Sequence, residues 1–373
     1  MMKFAHGQTI IQEFEVFSPK KYAMEGDKIG LQIGTLNKHV KKIMIALDVL
    51  ESVVDEAIEL GVDLIIAHHP IIFRPIKALR TDQAYGRTIE KLIKNDITVY
   101  AAHTNLDVAD GGVNDLMAEA IGLENTEVLV ETMEDPLKKV IVFVPEEQAP
   151  AVREAIGNAG AGHIGNYSHC TFNTAGTGTF KPGEGTNPYI GEQGKMEYVS
   201  EVKVESVFHA SIEKKIIRAM LKAHPYEEPA YDIYDMGNSG KTLGLGRLGE
   251  LPDEMTLEKF ANHVKKVFDV KGVRVVGDLT RPVKKVAVLG GDGNKYVSTA
   301  LFKGADVFVT GDLYYHVVHD AMMEGLAMVD PGHNVEKIMK DAVKERLLSF
   351  IKAKGYDTEV ISSEVHTDPF QFI

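Results

Sequence analysis

The stretch KKIMIALDVLESVVDEAIELGVDLIIAHH, residues 41–69, decides the fold. Ile43–Leu47 is a short apolar run. Leu50, Val53, Val54, Ala57 and Ile58 then recur at helical spacing, Gly61 stands where a helix would end, and Leu64–Ala67 is a second apolar run. Strand, helix and strand at this length predict a right-handed crossover between parallel strands. The second strand ends on adjacent histidines, His68 and His69, and then Pro70. Open α/β sheets bind ligands beyond the carboxyl ends of their strands. Neighbouring strand residues point to opposite faces, but a chain turned by Pro70 can bring both imidazoles into one crevice. The alternative is one structural and one surface histidine.

The pattern continues outward. Ile89, Leu92 and Ile93 predict a helix, ITVYAAH (97–103) a strand, and Val113, Leu116, Met117, Ala120 and Ile121 another helix. Far downstream, KKVAVLGGDGNKYVSTALFKGADVFVTGD (284–312) lies on 41–69 at a fixed offset of 243 without a gap. Lys41 and Lys42 fall on Lys284 and Lys285, Gly61 on Gly304, Asp63 on Asp306, and His69 on Asp312. The expectation is an α/β protein of two similar halves with parallel-strand crossovers; the alternative is a loose chance alignment of two strand–helix–strand units.

Between the halves, residues 138–236 read as strand (Val140–Val144), helix (from Pro150), a glycine-rich stretch, strand (Val199–Val204), helix (Ile212–Ala223), then EEPAYDIYDM. The stretch NTAGTGTFKPGEGTNPYIGEQG is rich in turn residues. A β-α-β-β-α-β order fits an inserted ferredoxin-like α+β domain.

Of 373 residues, 44% are apolar and 25% charged, an ordinary globular balance that allows two or three domains. Lys plus Arg number 41 against 54 Asp plus Glu, a net charge of −13 that argues against a nucleic-acid surface. A single cysteine, Cys170, cannot form an internal disulfide, and no run approaches about 20 apolar residues. The expectation is a cytoplasmic protein with no membrane contact.

Two further predicted strand ends carry chemistry. HTNLD (103–107) follows one, and DPGHNVEK (330–337) follows the apolar run Leu326–Val329. His333 and Glu336 are three apart, so one helical turn brings them to one side. Imidazoles and carboxylates together suit divalent transition metals. His316 and His319 in GDLYYHVVHD supply a supporting acid–base pair or a solvated helix face. GLGRLG (244–249) lacks the strand–turn–helix setting of a dinucleotide fingerprint, and SGKT (239–242) lacks the first glycine of a phosphate loop. GGDG (290–293) reads as a phosphate cradle or a tight turn, and HPYEEP (224–229) as a small site or a rigid turn.

DKIGLQIG (27–34), HHPIIF (68–73), HTNLD (103–107), GLGRLGEL (244–251), TGDLYYH (310–316) and DPGHNVEK (330–337) occur in this order. Together they resemble the Ngg-one-interacting-factor-three-like family, whose bacterial members are also named GTP cyclohydrolase type 2 homologues. The resemblance covers roughly 1–130 and 240–373, the two halves of a metal-binding core. The intervening 131–239 is similar to the PII/CutA-like insert of longer bacterial members. The resemblance implies two divalent metal ions (zinc, iron, manganese or nickel) held by His68, His69, Asp107, His333 and Glu336, with Glu336 or Asp107 bridging. It implies a hydrolase using metal-activated water on a small-molecule substrate, GTP by the family's name, in a hexameric toroid. His103 and His319 are the candidates for proton transfer or ligand orientation. A non-catalytic regulatory or scaffolding toroid with a sensor-like insert is the rival expectation. Some relatives space the last histidine and glutamate by one residue more, so the ion each serves here is open.

Overall fold

The computed structural model describes residues 2–373 as a mixed α/β protein, with four sheets and eleven α-helices among the described residues. The chain divides into two compact units, one made of Met1–Thr132 with Leu243–Ile373, the other of Met133–Thr242.

In the first unit the 41–69 stretch forms the strand Lys42–Ala46, the helix Glu51–Glu59 and the strand Leu64–Ala67. The two strands pair in parallel, Ile43 opposite Leu64. Thr98–Ala101 extends the sheet in parallel, and Gly30–Ile33 closes that edge antiparallel. Leu64–Ala67 is buried on both faces. Leu64 and Ile66 enter one apolar cluster with Ile43 and Ile45, whereas Ile65 and Ala67 enter another with Met44 and Val53. A strand covered on both sides reads as a continuous apolar run rather than an alternating one.

The second sheet repeats this plan. Pro282–Asp292, Val307–Gly311 and Ala327–Asp330 run in parallel, and Arg274–Val276 closes one edge antiparallel. The correspondence extends to hydrogen bonds. Asp63 Oδ2 accepts from the backbone N–H groups of Lys41 and Lys42 at 2.6 and 3.1 Å. Asp306 Oδ2 accepts from those of Lys284 and Lys285 at 2.9 and 2.8 Å. Leu64 stands opposite Thr98 as Val307 stands opposite Ala327, which gives the third strands an offset of 229. Carried forward, that offset places Asp107 on Glu336 and Thr104 on His333.

Chain order and sheet membership diverge at both ends. Glu359–Ser362 pairs in parallel with Lys42–Ala46, so the last strand completes the first sheet. Glu124–Asp135 lies at the far edge of the second sheet, beside Lys241–Thr256. Each exchange covers an edge that would otherwise present unpaired backbone groups.

The second unit has strands Leu137–Pro145, Phe172–Phe180, Glu197–His209 and Tyr231–Asp235, with helices Ala149–Ala159 and Glu213–Ala223 after the first and third. All pairings are antiparallel, and Leu137–Pro145 and Glu197–His209 are central. Val140, Val142, Val152, Ile156, Val204, Ile216 and Met220 make its own core. Residues 173–180, expected as turns from their glycines and threonines, are an edge strand paired with Glu197–Glu205. Pairing to a long neighbour outweighs weak local preference there.

Candidate metal centre

His68 and His69 follow the last buried residue of Leu64–Ala67, and their backbone N–H groups donate to Ala46 and Leu47 carbonyls at 3.1 and 2.9 Å. The pair therefore stays tied to the neighbouring strand while Pro70 turns the chain. Asp107 sits in the short helix Thr104–Val108 after Thr98–Ala101. His333 and Glu336 lie on one turn of the 3₁₀ segment His333–Ile338 after Ala327–Asp330. Three parallel-strand ends thus deliver five expected ligands to one place.

Glu336 is the centre. Its Oε2 is 3.0 Å from His69 Nε2, 3.2 Å from His333 Nε2 and 3.6 Å from His68 Nε2. His68 Nε2 is 3.7 Å from Asp107 Oδ1. Donor atoms within 4.8 Å of one another form three groups: His68, Asp107 and Glu336; His69, His333 and Glu336; and His68, His69 and His103. The first two share Glu336.

Each imidazole is oriented the same way. His68 Nδ1 donates to the Ala102 carbonyl at 2.9 Å, His69 Nδ1 to Asp48 Oδ1 at 2.7 Å, His333 Nδ1 to Asp312 Oδ2 at 2.7 Å, and His103 Nδ1 to Asp27 Oδ1 at 2.9 Å. For His68, His69 and His333 this directs Nε2 toward Glu336. An oxygen acceptor behind a ligating histidine fixes its tautomer and its aim. Asp48 also accepts from Thr367, and Asp27 from Thr104. The sequence reading missed Asp27, Asp48 and Asp312 as histidine partners; all three lie inside quoted stretches, but nothing in their spacing marks them for that role.

His68, Asp107 and Glu336 are all buried. His68 Nε2 and Asp107 Oδ1 have no hydrogen-bond partner there. Buried polar atoms without partners are costly, and two facing each other beside a shared carboxylate fit a cation. Burial pushes the Asp107 carboxyl up to about 6, opposed by His68 and reinforced by Glu336. Burial would also raise Glu336, but the imidazoles of His68, His333 and His69 outweigh it and hold this carboxyl well below its usual range. Burial acts to lower His69, yet hydrogen bonds to Asp48 and Glu336 raise it to about 10. The hydrogen bond to Glu336 raises His333 to about 9 against burial. A cation bound by this set would compete with protons for the same nitrogens.

GGDG serves this centre. A Cβ on Gly290 or Gly291 would lie 2.9 Å from Glu336 Oε1. The Gly290 N–H donates to Asn114 Oδ1 at 3.0 Å, so it is not free for a phosphate. His103 stands 5.2 and 5.7 Å, ring to ring, from His68 and His69. His319 is not gathered with them; it is exposed on the helix Tyr315–Met323, its ring 4.6 Å from that of Tyr315.

No helix among the described residues is long and apolar enough to cross a membrane. The family model Duf34/NIF3 (NGG1p interacting factor 3) matches residues 5–369. A Halalkalibacterium halodurans protein named GTP cyclohydrolase 1 type 2 homolog is 64% identical over 372 residues, covering 100% of both chains. A Bacillus subtilis protein of the same name is 62% identical over 373 residues, again 100% of both. Among solved structures, a Bacillus cereus protein related to NIF3 is 61% identical with a TM-score of 0.93 and complete coverage of both chains. A match of this extent, with relatives this similar along their whole length, means that the chain belongs to the Duf34/NIF3 family.

Proposed function

We propose that the chain is a dinuclear metal-dependent hydrolase of the cytoplasm, its ions held by His68, His69, Asp107, His333 and Glu336. The observation that carries this reading is the sharing of Glu336 Oε2, within 3.6 Å of three imidazole nitrogens and common to two donor groups. A nitrogen and carboxylate donor set suits zinc, iron, manganese or nickel. Bound ions of this kind supply Lewis acidity and lower the pKa of water. In the chain itself, Glu336 would be the ligand common to both ions, Asp48 and Asp312 would keep His69 and His333 aimed, and Asp107 would serve as a carboxylate ligand once its proton leaves. His103, held by Asp27, is the proposed proton carrier at Nε2. His319, outside the gathered set, is left a role at most in orienting a ligand.

The substrate proposed is a small molecule, with GTP first to be tried because close relatives carry that name. The proposed domain division is a metal-binding core, 1–130 with 240–373, and a PII/CutA-like insert, 131–239. The insert's β-α-β-β-α-β order supports that likeness. The proposed assembly is the homohexameric ring that the family resemblance implies. A regulatory toroid without turnover is the second reading, favoured by the insert's separate core and its own cavity.

The test is metal analysis followed by GTP turnover. About two ions per chain, with loss of metal and turnover together in Glu336→Ala, is the expected result. A fully loaded protein inert toward GTP and other nucleotides would overturn the hydrolase and leave the regulatory reading.

A further inference from the structure

HPYEEP (224–229) is not absorbed by the metal centre. In the second unit His224 pins this turn. Its Nε2 donates to the Phe143 carbonyl at 2.9 Å, and its Nδ1 accepts from the Tyr226 N–H at 3.1 Å. Glu227 fixes the facing loop by accepting from the Asn187 N–H at 3.2 Å. The turn so held directs the Tyr226 ring into a cavity of about 270 Å³.

Aromatic rings gather there. Phe180 and Tyr189 approach Tyr226 at 5.7 and 6.2 Å between centroids, inclined by 62° and 52°. Tyr189 is 55% exposed, so its ring stands at the mouth. Tyr226 Oη donates to Glu201 Oε1 at 3.0 Å, which anchors that carboxylate in the cavity wall. Gly178 makes this possible, because a Cβ there would lie 2.0 Å from Glu201 Oε2. The lining holds Glu201, Glu227 and Glu228 and no lysine, arginine or histidine.

We infer that this cavity binds a small organic ammonium ion, caged by Phe180, Tyr189 and Tyr226 and neutralised by Glu201. An anion would meet three carboxylates. A neutral apolar ligand would cover Glu201 without a counter-charge, which is costly. A cation with an apolar body meets the aromatic lining and the carboxylate together. The volume, just under the roughly 300–1,000 Å³ of drug-sized pockets, suits a molecule of choline's size. The inference is independent of the metal centre.

The test is calorimetric titration of the full chain with choline and with its neutral tert-butyl analogue, in which carbon replaces the nitrogen. Choline is expected to bind, and the neutral analogue to bind about tenfold more weakly or worse. Tyr189→Leu, at an exposed ring, and Glu201→Gln are each expected to weaken choline by about tenfold, with metal content and melting temperature unchanged. Equal binding of the two ligands, no choline binding at tens of millimolar, or an undiminished Tyr189→Leu variant would each overturn the inference.

Discussion

Two strand ends occupy matching places and carry different side chains. Leu64–Ala67 leads into His68 and His69; at the same offset Val307–Gly311 leads into Asp312. The backbones agree down to the Asp63 and Asp306 carboxylates that each accept two N–H bonds. The chemistry is divided. The first copy offers two imidazoles, whereas the second offers a carboxylate that holds His333 from the next strand end at 2.7 Å. Asp312 adopts φ +56°, a left-handed conformation that Asp tolerates better than most side chains. Among the expected ligands, only Asp107 and Glu336 are carboxylates at corresponding positions of the two halves. A duplicated frame has therefore fixed where ligands can stand, and single side chains have decided which half supplies them.

The comparison breaks most severely at Glu336, the carboxylate common to both donor groups. Glu336→Gln should abolish binding of both ions, whereas Asp107→Asn should spare the His69 and His333 group; metal analysis of the purified variants distinguishes them. Losses for either ligand variant should exceed the roughly 10–100-fold seen when an orienting partner is removed.

Next in size are the orienting carboxylates, one from each half. Asp48→Asn and Asp312→Asn should each lower metal affinity by about 10–100-fold, by competition with a chromogenic chelator. Similar losses would show that the halves are equal partners at this level. A normal affinity in both would remove the orienting role.

Protons supply a third lever. His69 and His333 are raised from 6.5 to about 10 and about 9 in the metal-free chain. A raised pKa in the folded state gives stability that is complete below 6.5 and lost as pH climbs through the raised values. Metal must displace those protons, so affinity should move oppositely and rise between pH 6.5 and about 9–10. Chelator-treated and metal-loaded samples melted across that range should diverge as pH rises; parallel curves would contradict the coupling.

The smallest effect tests the shared frame. Asp63→Ala and Asp306→Ala each leave two N–H groups without their acceptor and should each cost about 1–3 kcal/mol by denaturant unfolding. Metal stoichiometry should not change in either. A large cost in one half alone would show that the repeated bonds do unequal work.

Much of this was legible in residues 41–69. The crossover could be read because Leu64–Ala67, buried on both faces, must be apolar throughout, and because helix and strand periods differ. The ligands could be read because chemistry-bearing residues followed three such strands. Asp48, Asp27 and Asp312 could not be singled out, since an aspartate beside a turn is common and its partner lies far along the chain. The placement of Glu359–Ser362 in the first sheet was also hidden, because four residues carry no mark of the strand they will pair with. Phe172–Phe180 was hidden for the reverse reason: its composition favours turns, and only its long partner makes it a strand.

The most direct measurement is anomalous diffraction from crystals grown with a single divalent transition metal. The account predicts two peaks per chain, one beside His68 and Asp107, the other beside His69 and His333, with Glu336 touching both. A single peak, or peaks that leave Glu336 without a metal, would contradict it.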